Sequence, residues 1–162
     1  MAELKVHSAK FFEVQLAMQE TQEDGVEKMV KKNIVVDALS FGEAEKMAIE
    51  EMSPFCSGDM NIVNINPAAY RVVFTSEEEK DDKFYKCKLS FITIDEKSGK
   101  EKKSKVTYLV QAASTNKAQS YIDNSFMKGS MFDYETCSIS DTTIFDCYFN
   151  SSEEEDKEER DE

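Results

Sequence analysis

FYKCKL, Phe84 to Leu89, repeats the pattern of FFEVQL, Phe11 to Leu16, and the stretches that follow each keep the same order. Gly25, Glu27 and Lys28 are answered by Gly99, Glu101 and Lys102. NIVVDALSFGEA (Asn33 to Ala44) is answered by TYLVQAASTNKA (Thr107 to Ala118), and NIVNI (Asn61 to Ile65) by ETCSI (Glu135 to Ile139). The offset is 73 residues in the first strand and 74 after it, so one residue is inserted between. Identities are few, but the shared spacing runs over more than fifty positions. An internal repeat decides the architecture before any local reading. The expectation is two copies of a β-β-α-β-β unit, residues 11–74 and 84–150.

Each copy reads the same way locally. Phe12, Val14, Leu16 and Met18 alternate with polar residues, as Tyr85, Cys87, Leu89 and Phe91 do in the second copy. Period two puts one face of a strand in a core and the other in water. Asp24-Gly25 and Ser98-Gly99 mark hairpin turns. Ser40 caps a helix, with Glu43 in the capping-box position and Ala44, Met47, Ala48 and Met52 on its apolar stripe. Pro54 ends that helix. Ser114 caps the second helix, but Lys117 stands where Glu43 stood, so the reciprocal half of the box is lost. Ala118, Tyr121, Ile122 and Phe126 carry its stripe, and Gly129 is placed to end it. Strands are expected over residues 60–65, 70–74, 134–140 and 143–149. The fold class expected is α+β, with mainly antiparallel sheet.

The flanks differ from the body. Residues 1–10 read as a loose lead-in, with His7 an ordinary surface residue. Residues 75–83 hold five acids and two lysines and read as a solvated acidic linker. Residues 151–162 hold eight acids, two basic residues and nothing apolar, so the tail is expected to be disordered. The tail carries −6 of the net charge of −13. Such a chain repels bare phosphate polymers on average, though a local basic patch still attracts them.

Met1 to Lys10 has no apolar core region, and no run approaches a membrane span. The expectation is a cytoplasmic chain, without membrane contact, whose four cysteines are free thiols. No CxxC pair exists and His7 is the single histidine, so no metal site and no cofactor is expected. The body has no histidine base for a serine or cysteine nucleophile, and five glycines make no phosphate loop. No catalytic residue is assigned, and the chain reads as non-enzymatic. Asn61, Asn64 and Asn66, near Pro67, either line a polar cleft or knit a turn.

The remaining signal is basic. Lys86 and Lys88 occupy the polar face of a strand, and Lys97, Lys100, Lys102, Lys103 and Lys105 crowd the adjoining turn. Lys28, Lys31 and Lys32 sit at the equivalent turn of the first copy. Phe84 and Phe11 share the polar-facing register of their strands. Aromatic rings beside lysines are what single-stranded DNA binding uses, rings for bases and ammonium groups for phosphates. The acidic tail fits as a competitor for that surface or as a recruiter of partner proteins. Lysine-rich turns also serve solubility alone. Two alternatives remain open: a protein-interaction role through an open sheet face or residues 151–162, and an acidic imitation of DNA that occupies a nuclease or regulator. Monomer and homodimer are both compatible, since a duplicated unit supplies its own partner while an unpaired edge strand seeks one.

The body also resembles a family catalogued as domain of unknown function 4494, found mainly around the Bacteroidetes and their phages. The resemblance rests on VDALSFGEAE (Val36 to Glu45), EEMSPF with Ser57-Gly58 after it (Glu50 to Gly58), and KCKLSFITIDEKSGKEKK (Lys86 to Lys103). LVQAA (Leu109 to Ala113) and MKG (Met127 to Gly129) complete it, and it covers residues 11–149. It implies a bacterial or phage origin and phage-type roles such as DNA replication, recombination or counter-defence. It implies no catalytic residue. The long acidic tail departs from the family pattern.

Overall fold

Alternating apolar positions produce long hairpins, and capped amphipathic segments produce two helices beside them. The computed structural model describes residues 4–126 and 133–150. In chain order the elements are β1 (Lys5–Ser8), β2 (Phe11–Thr21), β3 (Glu27–Asp37), α1 (Phe41–Met52), β4 (Met60–Pro67), β5 (Val72–Thr75), β6 (Lys83–Ile94), β7 (Glu101–Ala112), α2 (Thr115–Tyr121), β8 (Asp133–Asp141) and β9 (Ile144–Tyr148). The class is α+β, mostly sheet and mainly antiparallel. The chain divides into two compact units, each with its own sheet.

One unit comprises Ala9–Ala68 and the chain from Thr143. Its sheet runs β4-β2-β3-β9. The hairpin β2–β3 pairs Phe11 with Asp37 and Thr21 with Glu27. Gly25 closes the turn at φ +85°, a left-handed conformation that glycine adopts without a Cβ penalty. The Asp24 carboxylate accepts from the Val26 amide at 3.1 Å. α1 lays Ala44, Ala48 and Met52 on Phe12, Val14, Leu16, Met18, Ile34 and Val36. Full burial of a side chain such as Leu16 stabilises by about 1.5–3 kcal/mol. The Ser40 hydroxyl accepts from the Glu43 amide at 3.2 Å. The Glu43 carboxylate reaches one residue further back than the capping box requires and takes the Leu39 amide at 3.2 Å.

The other unit comprises Met1–Ser8 and Ala69–Thr142. Its sheet runs β1-β5-β7-β6-β8. The hairpin β6–β7 pairs Phe84 with Gln111 and Ile94 with Glu101, and Gly99 turns it at φ +69°. Ala118, Tyr121 and Ile122 cover Phe74, Tyr85, Cys87, Leu89, Val110 and Ala112. The regular helix stops at Tyr121 and a π-helical turn, Ile122–Phe126, follows. Gly129 and the tail from Ser151 lie outside the described residues.

The two sheets agree in register. Asp37 opposite Phe11 corresponds to Gln111 opposite Phe84. The β2–β4 pairing slips between Gln15 and Leu16, and the β6–β8 pairing slips between Lys88 and Leu89. β9 lies parallel to β3 with Cys147 opposite Val35; β5 lies parallel to β7 with Val73 opposite Leu109. That last correspondence carries a change of membership. β5 follows β4 in the chain but belongs to the five-stranded sheet, and β9 follows β8 but belongs to the four-stranded sheet.

Three expectations require correction. The breaks placed at residues 74/84 and 150 do not bound the compact units, because β5 and β9 each pair in the sheet of the other unit. The lead-in is ordered where β1 pairs with β5, with Val6 opposite Phe74 and a 3.0 Å bond between His7 Nε2 and Thr75 Oγ1. The acidic linker is not wholly solvated: Asp81 within it is buried. β7 starts within the lysine-rich stretch, at Glu101, because Glu101 to Lys105 pair with Ile94 to Ser90 of β6.

Candidate nucleic-acid interface

A strand of period two sends adjacent lysines to opposite faces, and this sorts the lysines of the five-stranded unit. Lys86 lies opposite Leu109, Lys88 opposite Thr107, Ser90 opposite Lys105 and Ile92 opposite Lys103. Lys86, Lys88, Lys103 and Lys105 therefore share the face turned away from α2. Lys102 lies opposite Thr93 on the other face, and Lys100 belongs to the turn, where its carbonyl accepts from the Asp95 amide. Of the seven lysines expected together, four thus share one face, Lys102 lies on the other, and Lys97 and Lys100 belong to the turn.

Acids dilute this face without cancelling it. Glu135 lies opposite Ser90 and Asp133 opposite Ile92 on β8, while Glu101 lies opposite Ile94 on β7. Lys103 Nζ is 3.8 Å from Glu135 Oε2, with the two side chains 54% and 60% exposed. A pair this exposed contributes little to stability, so a phosphate can displace it cheaply. Lys88 and Lys105 are exposed, and half-buried Lys86 places its ammonium 5.9 Å from the Tyr70 ring centroid. Among these lysines sits Ser90, buried, with an Oγ that has no hydrogen-bond partner. A buried hydroxyl of this kind normally finds a partner.

The rings expected to stack on bases do not reach solvent. Phe84 is 2% exposed and Phe11 is 1% exposed. Alternation fails at the start of β2 and of β6, where Phe11-Phe12 and Phe84-Tyr85 are buried on both faces. Phe11 meets Phe149 edge to face at 6.1 Å.

The four-stranded unit splits its lysines in the same way. Lys28 and Lys32 lie on the helix-side face of β3 and Lys31 on the opposite one. Lys28 and Lys31 are exposed; Lys32 is half-buried and lies 3.6 Å from Glu20 Oε2. Its ammonium also sits 4.8 Å from the centroid of Phe145. Phe145 in turn meets Phe55 at 5.5 Å with an interplanar angle of 80°. Sequence reasoning missed this aromatic pair, because Phe145 lies in a closing strand and Phe55 beyond Pro54, far from the lysines in the chain. Asn61, Asn64 and Asn66 are exposed on β4, opposite Ala17, Gln15 and Glu13, and form a strand rather than a turn.

Asp81 of the five-stranded unit is a buried carboxylate with several partners. Its Oδ2 accepts from the Ser76 hydroxyl and the Tyr121 hydroxyl, each at 2.5 Å, and its Oδ1 lies 3.1 Å from Lys117 Nζ. Lys117 also donates to Glu78 at 2.5 Å. Burial alone raises the Asp81 pKa, but the Ser76, Tyr121 and Lys117 hydrogen bonds and the Lys117 charge outweigh it and leave the carboxyl below its ordinary value. Hydrogen bonds to Glu78 and Asp81 hold Lys117 above the usual lysine range. Both groups stay ionised at neutral pH, which makes a clasp between residues 76–81 and α2 and not an acid–base pair. Lys117, which costs α2 its capping box, is the residue that closes it.

Burial pushes the Cys87 thiol up to about 12, and burial with Asp146 and Glu13 nearby raises Cys147 well above the normal thiol range. Both remain protonated at neutral pH, which suits inert packing groups. Among the described residues no group of three or more His, Cys, Asp or Glu is arranged to hold a metal ion. No described helix is long and apolar enough to cross a membrane.

A family model described as Domain of unknown function (DUF4494) matches residues 10–150, and the chain belongs to that family. The expected resemblance therefore holds at the level of family. No curated protein and no solved structure matches the chain.

Proposed function

We propose that this family member is a non-enzymatic binding protein and that its ligand is single-stranded nucleic acid, held by Lys86, Lys88, Lys103 and Lys105. The observation that carries the reading is the shared face of these four lysines on two paired strands. Lysines two residues apart stand about 6.6–6.8 Å apart along a strand, and neighbouring strands are about 4.8 Å apart. Ammonium groups so spaced follow a phosphate backbone without reading its sequence. The dense packing of Asp81, Cys87 and Cys147 supports a role without catalysis.

The architecture is read as two copies of one β-β-α-β-β unit, each giving its fourth and last strand to the sheet of the other. The matched slips and the matched parallel pairs support this. Exchanged strands are a familiar way for two subunits to associate. In a fused pair the second copy replaces the partner subunit, so the protein acts as a monomer.

Reversing two exposed charges tests the site. Lys88→Glu with Lys105→Glu is expected to weaken binding of a labelled oligothymidylate by tenfold or more in fluorescence anisotropy at about 50 mM salt, with the melting temperature unchanged. Unchanged affinity in that variant would remove the assignment. A chain that ignores oligonucleotides but is recovered with a protein partner would transfer the function to protein binding.

A further inference from the structure

We propose that Phe55 and Phe145, with Lys32 beside them, form a stacking site for one unpaired base of a single-stranded nucleic acid. The inference rests on the proposed nucleic-acid reading and adds a base contact to what is otherwise phosphate attraction. Neither ring was expected to bind; the rings expected to do so, Phe11 and Phe84, are buried.

Phe55 is 48% exposed and Phe145 is 39% exposed, high values for the largest apolar side chains of a folded unit. Each holds the other: the rings meet edge to face at 5.5 Å. Such a pair is worth about a further 0.5–1.5 kcal/mol beyond burial alone. Phe55 ends a short 3-10 turn, Ser53–Phe55, whose second residue is Pro54. Proline fixes its own backbone, so little conformational freedom remains to be lost when a base settles on the ring. Phe145 stands on β9 between Ile144 and Asp146, which pair with Asn33 and Ile34 of β3 on either side of a register shift.

The charge beside the rings chooses the occupant. Lys32 Nζ lies 4.8 Å from the Phe145 centroid and is steadied by Glu20. Lys28, exposed, lies on the same face of β3 as Lys32. An aromatic surface flanked by ammonium groups complements a planar base joined to a phosphate. Every base has a π face, so the site tolerates any sequence.

The test compares oligothymidylate with an abasic oligonucleotide of equal length and equal phosphate number, by anisotropy on the full chain. The native protein is expected to prefer oligothymidylate about tenfold, and Phe55→Ala to abolish that preference while leaving abasic affinity unchanged. A melting curve of Phe55→Ala checks that this exposed substitution leaves the fold intact. Phe145→Ala serves as a second variant with the same expected loss. A preference that survives both substitutions overturns the stacking site. A native protein that binds both oligonucleotides equally also overturns it, and leaves the lysine face as a purely electrostatic site. Absence of binding to either oligonucleotide sinks both proposals together.

Discussion

Replacing Asp81 with Ala is expected to lower the melting temperature by roughly 8 °C. The substitution leaves the buried Tyr121 hydroxyl and the Ser76 hydroxyl without their shared acceptor, and Lys117 with Glu78 alone. Orphaning buried donors costs about 1–3 kcal/mol each, so about 3 kcal/mol in total is expected. In a chain of this length each kcal/mol moves the midpoint by about 2–4 °C. The pH dependence separates charge from packing. The folded Asp81 pKa lies below its ordinary value, so its contribution is present above about pH 4 and lost as pH falls through the folded pKa. The difference between native protein and variant should therefore be flat across neutral pH and shrink in acid. At the alkaline end, Lys117 and Tyr121 are both raised, so the clasp holds below their ordinary values and loosens only as pH climbs through the folded ones. Asp81→Asn keeps an acceptor for Tyr121 and should cost less, with a weaker acid dependence. Thermal melts of the three proteins from pH 3 to 9 check this. An Asp81→Ala variant as stable as the native chain, or a gap that persists unchanged at pH 3, would show that the clasp does not hold α2.

Ending the chain at Thr142 is expected to open a sheet whose other strands lie about a hundred residues earlier. β9 pairs in parallel with Asn33 to Val36, and Tyr148 packs on the core beneath α1 with its hydroxyl 3.7 Å from Met52 Sδ. Without it, β3 becomes an edge and the aliphatic core loses a wall. Domains of this kind are stable by only about 5–15 kcal/mol, so the loss of a whole strand takes a large share. Hydrogen exchange should show lost protection in residues 33–37 and retained protection in residues 107–112 of β7. The comparison is a chain ending at Asn150, which keeps β9 and lacks the tail. Protection lost first in β8, the sequence neighbour of the cut, and in its sheet partner β6 would contradict the placement of β9 beside β3.

How much of this was legible follows from what period and punctuation encode. The hairpins were, because Gly25 and Gly99 sit at turns that need a positive φ and are preceded by the alternating apolar positions Phe12 to Met18 and Tyr85 to Phe91. Ser40 and Ser114 announced their helices, since a hydroxyl before an apolar stripe has few other uses there. The sheets that β5 and β9 join were not legible. An alternating strand declares which face is buried but not which strand lies beside it. Phe11 and Phe84 were misplaced for a related reason: alternation assumes a wet face, and the first residues of β2 and β6 have none. Asp81 was hidden because a buried carboxylate in a run of five acids looks like its solvated neighbours until Tyr121 and Lys117 are brought to it. The division of the lysines was legible in principle, as Lys102 and Lys103 cannot share a face of one strand. The pairing of Phe55 with Phe145 joins residues 90 positions apart, and nothing local announces it.

The most direct test of the proposed function is the salt dependence of oligothymidylate binding by the full chain. Each phosphate neutralised on a single strand contributes about −0.7 to the slope of log affinity against log salt. Four lysines on one face give a slope of about −3, a loss of roughly fiftyfold between about 50 and 200 mM salt. Such a slope, reduced by about half in the Lys88→Glu, Lys105→Glu variant, is the expected result. No binding at 50 mM salt, or an affinity indifferent to salt, would contradict a nucleic-acid role for the lysine face.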